Sequence, residues 1–182
     1  MIEKIIRLTI PSNLDQDGPE DIRMQYKFDS LIKKYIEEEL GLDKKTLKEQ
    51  SLTNGDLSQV IMKNFKNNTK LKNNSLTIID VYEAKEKLLN TIGQHSQIER
   101  MSIISGVYKN CYEKLEAYYL TKIFLNKMKL GFGQKSVVNS LNLMKDTISN
   151  DDFINLRNIL ENIFQHNLIL NKENVLPGMI IY

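Results

Sequence analysis

The strongest constraint on this chain is a helical apolar rhythm that restarts again and again along its length. Phe28, Leu31, Ile32, Tyr35, Ile36 and Leu40 fall three and four residues apart, on one face of a helix, with Gly41 just past its end. Leu57, Val60, Ile61 and Phe65 repeat the spacing. So do Ile78, Val81, Tyr82, Leu88 and Ile92, then Ile98, Met101, Ile104, Val107, Tyr108 and Cys111, and finally Phe153, Leu156, Leu160 and Ile163. Only 8 glycines and 3 prolines interrupt 182 residues. The fold class predicted is therefore all-α, a single multi-helix domain of about eight to nine helices.

Helix-start residues supply the punctuation. Asp43 is placed to cap a short polar helix to about Glu49, and Asn54-Gly55-Asp56 reads as a turn in which Asp56 caps the next helix. Thr77 with Asp80, and Ser96 with Glu99, have the spacing of capping boxes. Asn150 or Asp151 opens the last long helix. Residues 2–10 read as a helix end or a short buried segment stopped by Pro11, and Asn171 to Gly178 as the exit into an extended end. Lys66 to Asn74 is a polar loop; with Lys63 it holds four lysines and no acid, as a solvated linker or a basic contact loop would.

Several classes of chemistry are excluded. No apolar run approaches the roughly 18 residues a membrane span needs, and the Met-Ile-Glu-Lys start lacks a secretion signal, so a soluble, intracellular protein is expected. The single cysteine, Cys111, rules out an internal disulfide, and its apolar neighbours Val107, Tyr108 and Leu115 mark a buried structural thiol. His95 and His166 lie far apart, and no Cys-x-x-Cys, His-x-x-x-His or phosphate-loop spacing occurs. No catalytic and no metal-ligating residue is assigned. The run Glu37-Glu38-Glu39 reads as a solvated helix face.

The formal net charge is only +2, but basic residues are local: residues 109–135 hold six lysines against Glu113 and Glu116. Within that span lies Tyr119 to Leu141, YLTKIFLNKMKLGFGQKSVVNSL. A helix starting near Glu113 carries Leu120, Ile123, Phe124 and Met128 at apolar spacing; Lys122 and Lys129, seven apart, are predicted to share a face, with Lys127 near the helix end. Gly131 and Gly133 allow a sharp turn and a close backbone approach, and a second helix starts with Val137, Val138 and Leu141. The first amides of a helix have no partner inside it and attract anions. With Lys129 and Lys135 flanking them, the stretch reads either as a phosphate-gripping hairpin or as an ordinary glycine-closed turn with solvated lysines. A weak internal echo lays Ile22 to Ile32 on Met128 to Val138, so that Arg23 falls on Lys129 and Ser30 on Ser136. This suggests pseudo-repeated helical hairpins.

Three segments in the same order resemble the N-terminal DNA-binding domain of eukaryotic and viral ATP-dependent DNA ligases. They are Asn54-Gly55-Asp56-Leu57-Ser58-Gln59-Val60, then Ser75-Leu76-Thr77-Ile78 with Val81, and Tyr119 to Val137 with its Lys-Leu-Gly-Phe-Gly core. Leu176-Pro177-Gly178-Met179-Ile180 is similar to the family's run into its nucleotidyltransferase domain. The resemblance implies that the opening helices and the catalytic domain lie outside this chain. It also implies no cofactor in the chain itself, with ATP and Mg belonging to the absent domain. The family's adenylation motif, Lys-x-Asp-Gly, does not occur; Asp15-Gln16-Asp17-Gly18 lacks the lysine.

The function implied is binding of nicked double-stranded DNA along the minor groove, without base reading, beside the catalytic domains of the same ligase. Replication, repair and recombination are the implied settings, in the nucleus or, for a viral ligase, the cytoplasm. Carried over by position, the gripping residues are Lys127, Lys129, Gly131, Gly133, Gln134, Lys135 and Ser136, with Arg23 and Lys27 from the first, glycine-poor hairpin. The alternative is a ligase-like module that binds a protein partner instead.

Overall fold

A computed structural model describes residues 1–10, 19–71, 76–93 and 95–164, with the helix path alone for 19–27. Among the described residues there are nine α-helices, one short 3-10 turn at Thr69–Leu71 and no strand, so the all-α class holds. The helices are α1 (Ile2–Thr9), α2 (Pro19–Glu38), α3 (Lys44–Asn54), α4 (Leu57–Asn64), α5 (Ile78–Asn90), α6 (Ser96–Lys109), α7 (Lys114–Phe124), α8 (Gln134–Leu143) and α9 (Asn150–Phe164). They fall into two compact units, Met1–Lys129 and Leu130–Tyr182.

In the first unit α2 packs against α3, α4 and α6, α5 packs against both α1 and α6, and the broadest helix pair is α4 with α7. The apolar stripes meet in one core holding Phe28, Ile32, Ile36, Val60, Ile61, Leu88, Ile104, Leu120 and Phe124. At its centre the Tyr108 ring stacks on Tyr35 at 4.3 Å and meets the edge of Phe124 at 6.5 Å. The Thr121 hydroxyl donates to the Ala117 carbonyl at 2.6 Å, so its one hydrogen is used and the Tyr108 hydroxyl must donate to Thr121 Oγ1, also at 2.6 Å. This buried relay ties α6 to α7. In the second unit α8 packs on α9, and Val138, Leu141, Leu160, Ile163 and Phe164 are buried.

The caps explain most boundaries. Asp43 accepts from the amides of Lys45 and Thr46, Asp56 from that of Gln59, and Thr77 with Asp80 closes a reciprocal capping box. Gly55 ends α3 at φ 89, the left-handed region where a residue with a β-carbon is strained. Ser149 and Asp152 bond one another at the start of α9, one residue before the Asn150 or Asp151 predicted to open it.

Four expectations need correction. α3 runs on to Asn54 instead of stopping near Glu49, because its real stop signal is Gly55. The Ser96–Glu99 box does not form: His95, at φ 71 and with no capping side-chain bond, holds the N-cap and makes Ser96 the first helical residue. Ile98, Ile92 and Ile78 are 69%, 80% and 44% exposed, and Arg100 and Ser105 occupy the buried stripe of α6 with Met101, Ile104, Val107 and Tyr108. Residues 22–32 lie within the continuous helix α2, so the internal echo is one of sequence and not of a turn. The expectations for Pro11 to Gly18, His166, and Asn171 to the extended end lie outside the described residues.

Candidate nucleic-acid interface

The interface is built on the α4–α7 pair. Asp56, held at the N-cap of α4 by bonds from the Ser58 hydroxyl and the Gln59 amide, faces the charge of Lys122 on α7. Lys122 lies 5.0 Å from the centre of the Tyr118 ring. Its hydrogen bond with Tyr118 raises the ammonium above the ordinary lysine pKa, and the Asp56 carboxylate adds to that. Lys122 thus belongs to the packing between the first and third ligase-like segments. It was not assigned a grip, and the geometry gives it internal partners.

α7 ends at Phe124, earlier than the apolar rhythm through Met128 suggests. Leu125 is buried, and Asn126 turns left-handed at φ 51, its side-chain oxygen accepting from Lys85 Nζ at 2.8 Å. The Lys127 amide then donates to the Lys122 carbonyl at 2.8 Å. Lys127 therefore stands in the turn and not on the helix, its Nζ 4.0 Å from Asp29 Oδ1, while Asp29 Oδ2 holds Lys33 at 2.6 Å. Lys129 is exposed with φ 49, and with the helix already over it shares no helical face with Lys122. Sequence reasoning missed Asp29, Lys85 and Asn126. Only Asn126 carried a signal, as a residue type that tolerates the left-handed region.

The unit boundary falls after Lys129, so the second half of the motif is described by itself. Gly131 takes φ 79, as its role in a turn requires, whereas Gly133 is extended at φ −127 and serves as N-cap of α8. A glycine cap brings no side chain of its own to the first turn of α8, where the amides of Lys135 and Ser136 stand at the helix start. Lys135 and Ser136 are exposed, and Gln134 is buried. The structure thus gathers Lys127 and Lys129 in one turn, and Gly131, Gly133, Gln134, Lys135 and Ser136 at the start of α8. Arg23 and Lys27 lie within α2.

Among the described residues no group of three or more His, Cys, Asp or Glu could hold a metal ion, and no helix is long and apolar enough to cross a membrane. Cys111 is buried, its thiol pushed up to about 12 by burial and by the nearby Glu116 charge. Its structural reading fits this position.

Comparison with known proteins agrees with the segments quoted above. The sequence profile of the family described as DNA ligase N terminus matches residues 18–142. A DNA ligase of Methanoculleus marisnigri is 28% identical over 100 residues, 54% of this chain and 18% of that protein. DNA ligase 1 of Saccharomyces cerevisiae is 28% identical over 116 residues, 63% of this chain and 15% of the relative. A probable DNA ligase of Aquifex aeolicus is 23% identical over 144 residues, 79% and 24% respectively. No solved structure matches the chain significantly. The chain thus spans less than a quarter of the length of these relatives. With the profile covering well over half of its residues, this chain belongs to the DNA ligase N-terminus family.

Proposed function

We propose that this chain is the DNA-binding part of an ATP-dependent DNA ligase. It holds nicked duplex by sugar and phosphate on the minor-groove side, without reading bases, while nicks are sealed in replication, recombination or repair. The observation that carries this reading is the start of α8, where a glycine N-cap supplies no side chain and Lys135 and Ser136 are exposed in the first turn; Lys127 and Lys129 stand in the turn that ends the first unit. Phosphate contacts of this kind fix position and are indifferent to sequence. Adenylation, with ATP and Mg, belongs to the nucleotidyltransferase domain of the parent protein, and that domain and the nicked duplex are the two partners. The setting is the nucleus, or the cytoplasm for a viral ligase.

The test is the affinity for a nicked duplex across a salt series, with intact duplex and single strand as controls. If about three to five phosphates are neutralised, log K falls against log salt with a slope of about −3 to −4.5. Reversing charge with Lys129→Glu and Lys135→Glu should weaken binding equally across unrelated duplex sequences and flatten the slope by about 2. Absence of binding even at low salt would overturn the reading in favour of the ligase-like module that binds a protein.

A further inference from the structure

Arg100 is a charged residue of the first unit whose buried position its described neighbours leave unexplained. It sits on the buried stripe of α6 with only 8% of its surface exposed. Its Nε has no hydrogen-bond partner, and no ion pair reaches its guanidinium among the described residues. A buried cation without a counter-charge is costly, and no acid among the described residues is paired with it to offset that cost. Arg100 instead lines a cavity of about 210 Å³, bordered among the described residues by Ser30, Leu31 and Gln97 as well. Ser30 and Gln97 are exposed, so they form a rim open to solvent, with Arg100 and Leu31 beneath.

The cavity also adjoins the start of a helix. Gln97 lies in the first turn of α6, a 14-residue helix whose N-cap, His95, places no side chain on the first amides. The amides of Ser96 and Ile98 already donate to the carbonyls of Gly93 and His95, and Glu99 stands in the same turn, so the buried guanidinium is the main positive group beside this space. A planar guanidinium suits an oxyanion of tetrahedral phosphate, to which it can donate twice. Ser30 at the rim is the residue that the sequence echo lays on Ser136 of the α8 start.

We propose that this cavity is a phosphate site in which Arg100 receives a backbone phosphodiester of bound DNA, separate from the lysine turn and from α8. The proposal rests on the DNA-binding reading above. Two variants test it. Arg100→Met removes the buried charge at similar length, and Gln97→Glu sets a carboxylate at the rim as an internal competitor, in a first turn where an acid suits the helix. Both should raise the thermal midpoint of the free protein, because each relieves an unpaired cation, and both should weaken nicked-duplex binding about three- to tenfold. For Arg100→Met the salt slope should fall by about 1.

A structural role alone would move stability and binding in the same direction or leave binding unchanged. Wild-type affinity and slope in both variants would overturn the proposal while the DNA-binding reading stands. Failure of the wild-type chain itself to bind duplex would overturn both. Inorganic phosphate is the control ligand. If it raises the thermal midpoint of wild type and not of Arg100→Met, while duplex affinity is equal in the two, the site takes free phosphate and the DNA assignment is wrong.

Discussion

Replacing Thr121 by valine should destabilise the protein more than removing the tyrosine hydroxyl that points at it. Both residues are fully buried, and the relay runs from Tyr108 to Thr121 to the Ala117 carbonyl. Tyr108→Phe takes away one accepted bond and leaves the Thr121 hydroxyl still donating to Ala117, at a net cost of about 1 kcal/mol. Thr121→Val keeps the shape but strands the Tyr108 hydroxyl, a buried donor already so shielded from water that its pKa stands well above the ordinary tyrosine value. An unsatisfied buried donor adds its desolvation penalty, for about 2 to 3 kcal/mol in all. The double variant has no stranded group and should cost about 1 to 1.5 kcal/mol, less than Thr121→Val alone. With an m-value of about 2 kcal/mol per molar urea, the Thr121→Val midpoint drops by about 1 to 1.5 M, and Tyr108→Phe on that background restores part of it. Equal single costs that simply add would refute the assignment of donor and acceptor.

Asp56 sets part of the acid limb. Burial pushes its carboxyl up, but the bonds from Ser58 and Gln59 and the Lys122 charge outweigh it, so the folded pKa lies below the ordinary value. The unfolded chain then binds the proton more readily. The contribution is complete above about pH 4 and is lost as pH falls through the depressed folded value. Asp56→Asn keeps a good N-cap and should flatten the loss of urea midpoint between pH 4 and 2.5; curves parallel to wild type would contradict the carboxylate's role. Cys111 should react with a thiol reagent at pH 8 on the order of a thousandfold slower in the native protein than in denaturant, and rapid native labelling would show the site to be open.

What could be read from the residues is what depends on neighbours three or four positions away. Asp43, Asp56 and Thr77 with Asp80 cap the helices that their spacing predicts, and Phe28, Ile32, Ile36, Val60 and Ile61 are buried where their stripes require. What failed depended on distant partners or on a single backbone angle. Met128 continues the apolar spacing of α7, yet the helix stops at Phe124 and the left-handed Asn126 is held by Lys85, forty-one residues away. Ser96 and Glu99 have the right spacing for a box, but the left-handed His95 moves the helix start by one residue. Arg100 stands at an apolar stripe position, and periodicity carries no sign that a guanidinium would be buried there.

The α4–α7 pair has a kinetic consequence. α7 has 11 residues, too few for a helix to persist in water without a partner, and its broadest contact is with a helix on the far side of α5 and α6. That contact forms only after the intervening chain has closed into a loop, so entropy delays it relative to the neighbouring pairs α3–α4 and α5–α6. The lysine turn that follows α7 therefore takes its shape late on the folding route, from long-range docking rather than local preference. A peptide excised around Lys127 and Lys129 would carry the charges of this turn without its geometry.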